Sequence, residues 1–439
     1  MHRRGPMRRM RVRAVKMLEE RARARMTEVN KRFDVLIAGG SFVGLTQAIA
    51  LAQCARGALR VAVADRTPLE AARARASDGR ASALSAASTH LFRSLGVWAR
   101  VEPHAQPITG IDITDSKLNS VMRPQLLHFD GGLPDGEPAA FILENYILRD
   151  ALIDHARETQ GLTFLAPEVV REFQVSGTGV SVQLEKAGAV DAALLVAADG
   201  RGSAVRKAAG IKTIGWSYPQ AGIVATLKLE KPHGGRAIQH FLPSGPFAML
   251  PLPENRVSLV WTEERARARE LVALDDAGFL AEAKKRIGGR FGELALAGPR
   301  GVFPLDMHLA RRFVADRVAL VGDAAHGVHP LAGQGLNIGL RDVAALTEIV
   351  VDAARLGLDP GSAAVLERYQ RWRRFDSAFS ALAMDRINSL FSNDSAPLRA
   401  LRSLGLGLVD RAPMVKRFFV REAAGLTGAV PKLLRGEAI

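Results

Sequence analysis

Three short and largely apolar runs along the chain are each followed directly by a turn that contains glycine. They occupy residues 33–38, 194–198 and 318–321. Runs of this length that end in turn residues are typical of strands buried in a parallel sheet. After the first and third runs a helical pattern begins, near Leu45 and near Gln334. The pattern predicts an α/β fold with an anion-binding site where the strands end and the helices start.

The first turn resembles the G-x-G-x-x-G fingerprint of dinucleotide-binding folds, except that Ser41 replaces its second glycine. A serine adds a Cβ where the backbone must approach a pyrophosphate, so we expect a less free fit than with glycine. The next predicted strand ends in Asp65, roughly 20 residues after the turn, where a carboxylate can bind both hydroxyls of an adenosine ribose. We therefore assign a dinucleotide to Gly39, Gly40, Ser41, Val43, Gly44, Asp65 and Arg66.

The second and third turns each contain an aspartate close to the strand end. They read Asp199-Gly200-x-x-Ser203-x-x-Arg206 and Gly322-Asp323-Ala324-Ala325-His326-x-x-x-Pro330. Taken alone, Asp-Gly is usually an ordinary turn, and the third stretch is equally consistent with a plain strand-to-helix connection. Three strands that each deliver glycine and aspartate at one edge favour a shared site. Asp323 could there accept hydrogen bonds from sugar-like hydroxyls.

Together the three stretches resemble the flavin-dependent aromatic hydroxylases of the para-hydroxybenzoate hydroxylase class. Within that class the likeness is closest to the ubiquinone-biosynthesis hydroxylases, and it extends from Phe33 to the C-terminus. The narrower likeness depends on Asp78-x-Arg80-x-x-Ala83-Leu84-Ser85, Glu144-Asn145-x-x-Leu148-Arg149, Trp216-x-Tyr218-x-Gln220, Phe241-Leu242-Pro243-x-Gly245-Pro246 and Ala332-Gly333-Gln334-Gly335-Leu336-Asn337.

The resemblance implies an FAD-binding Rossmann-like domain of the glutathione-reductase type, an antiparallel β-sheet substrate domain and C-terminal helices. It implies FAD as cofactor and O2 as co-substrate, with a flavin C4a-hydroperoxide that hydroxylates a polyprenylphenol of ubiquinone biosynthesis. Since the chain has a single dinucleotide fingerprint, the reductant would be NAD(P)H that binds transiently, or a separate reductase or ferredoxin. A multiprotein ubiquinone-synthesis complex is a further partner that this resemblance suggests.

Further cofactor residues follow from the matched motifs: Arg80, Asn145, Asp199, Gly200, Gly322, Asp323, Pro330, Gly333, Gln334, Gly335, Leu336 and Asn337. An aromatic ring needs an apolar slot with few polar contacts. We predict that this slot is lined by Trp216, Tyr218, Phe241, Phe247 and Met249, although such residues on strands are more often plain core. No general base is assigned, because the candidates His240, His326 and His329 more often have structural roles.

The pattern divides the chain into seven stretches. They are a basic, disordered tail (1–32), a first part of the FAD domain (33–106), an excursion toward the substrate domain (107–143), a second FAD part (144–210), the β-sheet substrate domain (211–300), a third FAD part (301–350) and a helical region (351–439). Alternating positions between Tyr218 and Thr262 predict an antiparallel sheet. A helical spacing of apolar residues predicts a helix from Leu84 to Trp98.

The composition adds a basic charge and a single cysteine. Of 439 residues 48% are hydrophobic, and Cys54 cannot form a disulfide within one chain, which favours a reducing, cytoplasmic location. The net charge is +15, and residues 1–32 supply twelve Lys or Arg against three Glu. This tail has no aromatic residue to stack on bases, so we expect no nucleic-acid partner. It has no secretory signal pattern, and Met26 is a candidate start.

No stretch of the sequence has the apolar length of a membrane span. The run Leu401 to Arg421 is basic and amphipathic, and such a segment can lie on the anionic inner face of a membrane. A helix that packs on the core with a solvated basic face is an equally good interpretation.

Four other functions fit part of the pattern. A nicotinamide dehydrogenase shares the first turn but gives the aspartates of the other two no role. A flavin halogenase is not matched, because its Trp-x-Trp-x-Ile-Pro motif is absent from the sequence. A flavin hydroxylase of another small aromatic compound and a non-catalytic FAD-bearing component of a quinone-synthesis complex both stay open.

Overall fold

A computed structural model of the chain describes residues 32–115, 125–327, 335–374 and 413–439. It is an α/β protein, as predicted, with two eight-stranded sheets and one three-stranded sheet in the described residues. The strands are β1 (Arg32–Ala38), β2 (Val61–Ala64), β3 (Ala81–Ser85), β4 (Gln106–Pro107), β5 (Gly110–Asp115), β6 (Gln125–Asp130), β7 (Ala140–Glu144), β8 (Leu162–Leu165), β9 (Val170–Ser176), β10 (Gly179–Leu184), β11 (Gly188–Ala197), β12 (Thr213–Leu229), β13 (Arg236–Leu242), β14 (Gly245–Leu252), β15 (Arg256–Glu264), β16 (Leu294–Ala310), β17 (Val314–Ala315), β18 (Val318–Leu320) and β19 (His326–Gly327).

The helices lie between and after these strands. They are α1 (Phe42–Cys54), α2 (Leu69–Arg73), α3 (Ala86–Ser94), α4 (Trp98–Val101), α5 (Asn145–Glu158), α6 (Ala204–Ala208), α7 (Arg265–Ala273), α8 (Asp276–Ile287), α9 (Gly335–Arg355) and α10 (Pro413–Ala423). Residues 363–374 are also helical, and short 3₁₀ turns occupy Glu102–His104, Gly289–Phe291, Gly322–Ala324 and Lys432–Arg435.

The first large sheet brings the three predicted strands side by side. Its parallel strands lie in the order β18, β11, β1, β2 and β8. The central strands are apolar at almost every position, as expected of parallel strands that are buried on both faces. In the core beside them α1 packs against α9, where buried Gln47 donates a 2.8 Å hydrogen bond to Thr347. Since parallel strands end at a common edge, the turns after β1, β11 and β18 meet there.

The second large sheet has the strand order β19-β16-β12-β15-β14-β13-β5-β6. It contains the antiparallel pairs predicted between Tyr218 and Thr262, and β5 and β6 from the stretch 107–143 extend it. One face of this sheet packs on α7 and α8. The opposite face packs on the small sheet β3-β7-β4, where Ala248 and Leu250 join a cluster with Ile142.

The helix predicted from Leu84 is wrong at its start. Residues 81–85 form β3, which pairs with β7, and α3 begins only at Ala86. The hydroxyl of Ser85 caps α3 by accepting a hydrogen bond from the backbone of Ser88. Serine favours a helix cap over a helix interior, so the apolar spacing alone placed the boundary too early.

Two searches of the described residues are negative. No helix in these ranges is long and apolar enough to cross a membrane. In the same ranges no three His, Cys, Asp or Glu side chains come together as a metal-ion site. Of the residues predicted for the site, Pro330, Gly333, Gln334 and His329 lie outside the described ranges, as does the tail up to residue 31.

Candidate functional site

The turn after β1 requires glycine at two of its positions. Gly39 has φ +106°, and a Cβ there would lie 2.3 Å from the backbone oxygen of Ala198, just after the neighbouring strand. A Cβ on Gly44 would lie 1.9 Å from the oxygen of Gly39. The first glycine therefore lets the turn pass close to the end of β11, and the last lets α1 pack onto the turn.

Ser41 fits this turn without backbone strain. Its φ of −94° and ψ of −163° are ordinary extended values that any residue adopts. The serine is exposed, and its side chain makes no capping hydrogen bond to the first turn of α1. The poorer fit expected from the sequence therefore has no basis in the backbone. The N-terminus of α1 is suited to an anion.

Asp65 is fixed just after the carboxyl end of β2. One of its carboxylate oxygens accepts a 2.7 Å hydrogen bond from the N–H of Gly40, and the other accepts one of 2.7 Å from Thr67. A carboxylate offers about four acceptor positions, so both oxygens can accept further hydrogen bonds from ribose hydroxyls. The bond to Gly40 also ties the predicted ribose-binding residue to the predicted pyrophosphate turn.

These groups surround a cavity of about 570 Å³. This volume lies within the usual range for sites that hold a small ligand or cofactor. Predicted residues in its wall are Gly39, Gly40, Ser41, Asp65, Arg66, Asp199 and Gly200, and the charged wall residues that were not predicted are Arg75, Arg149 and Glu168. Arg149 belongs to the matched Glu-Asn-x-x-Leu-Arg stretch, which was the available signal for it.

Asp199 contributes an unused acceptor to the wall of this cavity. Its Oδ2 caps α6 by accepting hydrogen bonds from the backbone of Ala204 at 2.7 Å and Val205 at 3.3 Å. Its Oδ1 is buried and has no hydrogen-bond partner. A buried oxygen without a partner costs free energy, so a ligand with hydroxyl or N–H donors would stabilise this position. The cavity, the glycine turn and this acceptor together fit a dinucleotide cofactor.

Arg206 connects the second and third turns. Its side chain is 6% exposed and donates hydrogen bonds to the backbone oxygens of Ala324 at 2.7 Å and Arg201 at 2.8 Å. Burial lowers the pKa of Arg206, against the opposing charge of Asp199. The Asp-Gly-x-x-Ser-x-x-Arg stretch thus holds two strand ends at a fixed separation.

Asp323 lies half exposed in the turn after β18. Its carboxylate faces the Nε of Arg201 at 3.2 Å, and its backbone oxygen accepts a 2.9 Å hydrogen bond from His308. Gly322 before it has φ +58°, and a Cβ there would lie 3.0 Å from Val43. Val43 therefore supports the third turn from the start of α1, which gives this position of the fingerprint a packing role.

A buried charged cluster lies beneath the third turn. The carboxylate of Asp342 accepts hydrogen bonds from the N–H of Gly322 at 3.0 Å, from His326 at 2.6 Å and from Arg373 at 2.8 Å. Asp342, His326 and Arg373 are each at most 1% exposed. Burial alone would raise the pKa of Asp342, but the charges and hydrogen bonds of His326 and Arg373 lower it below the ordinary value. His326 thus supports the turn from behind and does not face the cavity.

Asn337 and Asn145 are engaged with the protein itself. The side chain of Asn337, in the first turn of α9, accepts from the N–H of Ser85 at 3.0 Å and donates to the oxygen of Ala83 at 2.7 Å. Asn145 accepts a 2.7 Å hydrogen bond from Ser82. Both asparagines therefore place backbone segments around the site. Direct contact of either with a cofactor stays a prediction.

Arg80 and Leu336 lie at the boundaries between layers. The guanidinium of Arg80 pairs with Asp78 at 2.6 Å and stacks 4.9 Å above the ring of Phe303 in the second sheet. Leu336, next to the start of α9, packs against a core cluster that also contains Leu340. Arg80 thus joins the loop before β3 to the face of the second sheet that is turned away from α7 and α8.

The five predicted substrate residues lie on two different faces of the second sheet. Phe247 and Met249 pack with Trp261 against Phe279 of α8, on the helix-covered face. Neighbouring residues of a strand point to opposite faces. Phe241 shares the other face with Ala248, as their positions in β13 and β14 show. The structure therefore does not bring all five residues together, because a period of two cannot reveal which face is turned to a ligand.

Tyr218 and Trp216 lie near the start of α9. Tyr218 is buried in a cluster with Leu305, Met307 and Ile338, and the last of these belongs to α9. The ring of Trp216 meets that of Tyr218 edge to face, with 6.4 Å between their centroids. These two aromatic residues thus connect the second sheet to the N-terminal turn of α9.

One polar residue on the sheet was not predicted. The side-chain Nε2 of Gln239 is buried and has no hydrogen-bond partner. Gln239 pairs with Ala248 across β13 and β14, so it lies on the same face as Phe241. An apolar surface with one unsatisfied amide group is suited to binding and orienting a ring that carries an oxygen substituent.

Comparisons with known proteins agree with this geometry. A family model described as FAD binding domain matches residues 32–377. The ubiquinone hydroxylase of Rhodospirillum rubrum is 43% identical over 410 residues, covering 93% of this chain and 94% of the relative. The 3-demethoxyubiquinol 3-hydroxylase of Escherichia coli is 34% identical over 398 residues, covering 90% and 100%. The p-nitrophenol 4-monooxygenase of Pseudomonas putida shares the fold, with a TM-score of 0.74 at 19% identity, covering 90% of this chain and 98% of that structure.

The family match spans most of the chain and includes the three turns, the cavity and the second sheet. Relatives above 30% identity extend over nearly its whole length. The chain therefore belongs to the FAD-binding-domain family, as an FAD-dependent monooxygenase of the ubiquinone-biosynthesis hydroxylase group.

Proposed function

We propose that this enzyme hydroxylates the aromatic ring of a polyprenylphenol intermediate in ubiquinone biosynthesis. The names of its relatives from Rhodospirillum rubrum and Escherichia coli support this substrate class. The observation that carries the proposal is spatial. The third turn continues into β19, which pairs with β16 of the second sheet, and Tyr218 of that sheet packs against Ile338 at the start of α9, so the strand ends that suit a dinucleotide border the sheet that would hold the ring.

FAD would be held along the edge of the first sheet. Asp65 would bind the adenosine ribose, and the turn from Gly39 to Gly44 with the N-terminus of α1 would bind the pyrophosphate. Asp323 would bind the ribityl chain, and the N-terminus of α9 would face the negative edge of the flavin ring. When bound and reduced, FAD supplies the activated oxygen atom that hydroxylates the ring, with O2 as the source.

The residues of the second sheet would position the ring and exclude water. Ala248 and Phe241 are almost fully buried and would form an apolar wall against the ring. Exclusion of water would suppress side reactions that consume reductant without hydroxylating the ring. Gln239 would hydrogen-bond an oxygen substituent of the ring and so fix its orientation. Phe247 and Met249 would act only by supporting this surface from behind.

We assign neither of the two described candidates, His240 and His326, as a general base. His326 is buried against Asp342, and His240 is buried and hydrogen-bonded to Thr114 on the helix side of the second sheet. The reductant is of the NAD(P)H type, and the proposal for this chain is that it visits the flavin transiently. Delivery of electrons by a separate reductase or ferredoxin is the alternative.

Helix α10 would provide a peripheral contact with the membrane. Met414 and Phe418 are 84% and 58% exposed, four residues apart, and Arg417 and Arg421 lie beside them. Apolar side chains flanked by arginine suit a surface of anionic lipids, in which a polyprenylated substrate is dissolved. A vesicle co-sedimentation assay with and without anionic lipid tests this contact. We also propose that the enzyme joins a multiprotein complex at the same membrane.

The deciding experiment is a quinone-lipid profile of cells that lack the protein and of cells to which it is returned. We expect an under-hydroxylated polyprenylphenol to accumulate and to disappear when the wild-type protein is restored, but not when Asp323→Ala is supplied. The mass and fragmentation of the lipid identify the missing oxygen. Unchanged quinones would contradict the proposed substrate and favour hydroxylation of another small aromatic compound.

A further inference from the structure

The first residues of β12 expose large apolar side chains on one face. Ile214 is 50% exposed, Trp216 is 40% exposed and Tyr218 is 9% exposed. Alternate residues of a strand point to the same side. The exposed fraction of the side chain therefore increases from Tyr218 through Trp216 to Ile214, and all three side chains are largely apolar.

The facing strand continues the same surface. In the register of β12 with β16, Trp216 lies opposite Met307 and Ile214 lies opposite Leu309. Leu305 belongs to the cluster of Tyr218. Directly opposed residues of an antiparallel pair project to the same face. Six residues are called the apolar ladder below: the opposed pairs Trp216 with Met307 and Ile214 with Leu309, and Tyr218 with Leu305, which share a cluster where the register of the two strands shifts.

The reverse side of the same two strands is polar. Ser217 lies opposite Asp306, and both side chains hydrogen-bond each other and Arg265. The two-stranded segment is therefore amphipathic, with a solvated face and an apolar face. Large apolar side chains exposed in a row, and not singly, mark a binding surface.

The inner end of the ladder lies at the cofactor site. Tyr218 and Leu305 contact Ile338, the residue after Asn337 in the first turn of α9. The outer end, at Ile214, is open to solvent. Four residues of strand span about 14 Å, so the ladder runs from the start of α9 to the surface over that distance.

We propose that the apolar ladder holds the polyprenyl tail of the substrate where the tail leaves the ring pocket. This inference depends on the proposed function, because only a prenylated phenol has such a tail. A branched hydrocarbon chain has no hydrogen-bonding groups, so its affinity comes from buried apolar area. A strip two strands wide matches the width of a single hydrocarbon chain.

The dimensions favour this occupant over a protein partner. A stable protein interface buries about 800 Å² on each side. The ladder exposes only Ile214, Trp216 and the half-buried Leu309, and the exposed residues Lys212 and Arg311 lie next to its outer end. A membrane surface or a second copy of the chain are the other occupants, and the experiment below separates them.

The test compares two substrates with purified, FAD-loaded enzyme. One is a phenol with an eight-unit prenyl tail in detergent, and the other has the same ring with a single prenyl unit. For Ile214→Glu and for Trp216→Ala, we expect the ratio of kcat/KM for the long tail over the short tail to fall about tenfold. That change corresponds to about 1.4 kcal/mol of lost contact with the tail.

The matched control is Leu358→Glu. Leu358 is 51% exposed, close to the 50% of Ile214, but it lies beyond the end of α9. We expect this variant to keep the wild-type ratio, and a thermal melt of each variant checks the fold.

Two outcomes would overturn the inference. One is an unchanged ratio in both ladder variants, and the other is a changed ratio that is matched by a lost dimer or by lost binding to anionic vesicles. If the wild-type enzyme hydroxylates neither phenol, the proposed function fails before the ladder is tested, so the two failures are distinguishable.

Discussion

The guanidinium of Arg206 donates a hydrogen bond of 2.7 Å to the backbone oxygen of Ala324, and this contact joins two of the three strand ends at the cofactor site. Replacement by methionine keeps much of the side-chain volume but leaves the oxygens of Ala324 and Arg201 without this donor. We expect Arg206→Met to lower the free energy of unfolding by about 2–3 kcal/mol and to weaken FAD binding. Urea unfolding and flavin fluorescence measure the two effects.

The neighbouring Lys207→Met is the control for Arg206→Met, because Lys207 lies on the same helix with an exposed side chain. It should leave both quantities close to those of the wild type. Equal free energies of unfolding for the two variants would contradict the conclusion that Arg206 stabilises the contact between the two strand ends.

Gly39→Ala should abolish FAD retention. The new Cβ would lie 2.3 Å from the oxygen of Ala198, and φ at this position is +106°. Gly57→Ala separates the two causes, since Gly57 has φ +84° but no atom within 4 Å of an added Cβ. We expect the ratio of flavin to protein absorbance to fall at least tenfold for Gly39→Ala and to stay near the wild-type value for Gly57→Ala. Equal losses would show that backbone strain alone is responsible.

Asp342 should make the free energy of unfolding depend on pH only in the acid range. Because its folded-state pKa lies below the ordinary value of 3.8, its contribution is fully present above that pH and is lost only as the pH falls further toward the folded-state pKa. Asp342→Asn removes the carboxylate charge that faces the buried side chains of His326 and Arg373 and should cost about 3–5 kcal/mol at pH 7.

The difference in unfolding free energy between wild type and Asp342→Asn should be the same at pH 7 and pH 5 and should shrink below pH 3.8. Urea unfolding at several pH values measures it. Asp352→Asn, on the same helix but partly exposed, is the control and should cost less than about 1 kcal/mol. A difference that shrank already between pH 7 and pH 5 would mean that the folded-state pKa of Asp342 is raised. That result would contradict this prediction.

Gln239→Met should stabilise the protein while impairing the reaction. Its buried Nε2 has no partner, so an apolar side chain of similar size removes a desolvation cost of about 1–3 kcal/mol. The ring would lose its polar contact, and we expect more NAD(P)H to be consumed per hydroxylated product. A melting curve and the yield of product per reductant measure both effects. Lower stability with unchanged yield would assign Gln239 a structural role.

The turn after β1 could be predicted from the sequence because its glycines and the following aspartate stand at fixed spacings along the chain. Gly39, Gly44 and Asp65 are set by a steric limit and by a fixed offset along the chain. The fit of Ser41 could not be predicted, since it depends on backbone angles that the residue types do not determine. The internal use of Asn337 could not be predicted either, because its partners in β3 are far away in the sequence.

The substrate side could be predicted only in part. Alternation identifies the strands of the second sheet, but the face of Phe247 and Met249 is decided by where α7 and α8 pack. Gln239 gave no signal, because a glutamine within a strand is unremarkable until its surroundings are known. Arg149 was within a matched motif and could have been assigned on that ground.

The contact between Asp342 and Arg373 has a consequence for the order of events during synthesis. The aspartate that supports the third turn is neutralised in part by an arginine from residues 363–374, which leave the ribosome after every described strand of both large sheets. A shorter chain would contain all three turns but would bury an aspartate that lacks one of its counter-charges. We therefore expect tight FAD binding to begin only after this late helix has docked, so that loading of the cofactor reports on a nearly complete chain.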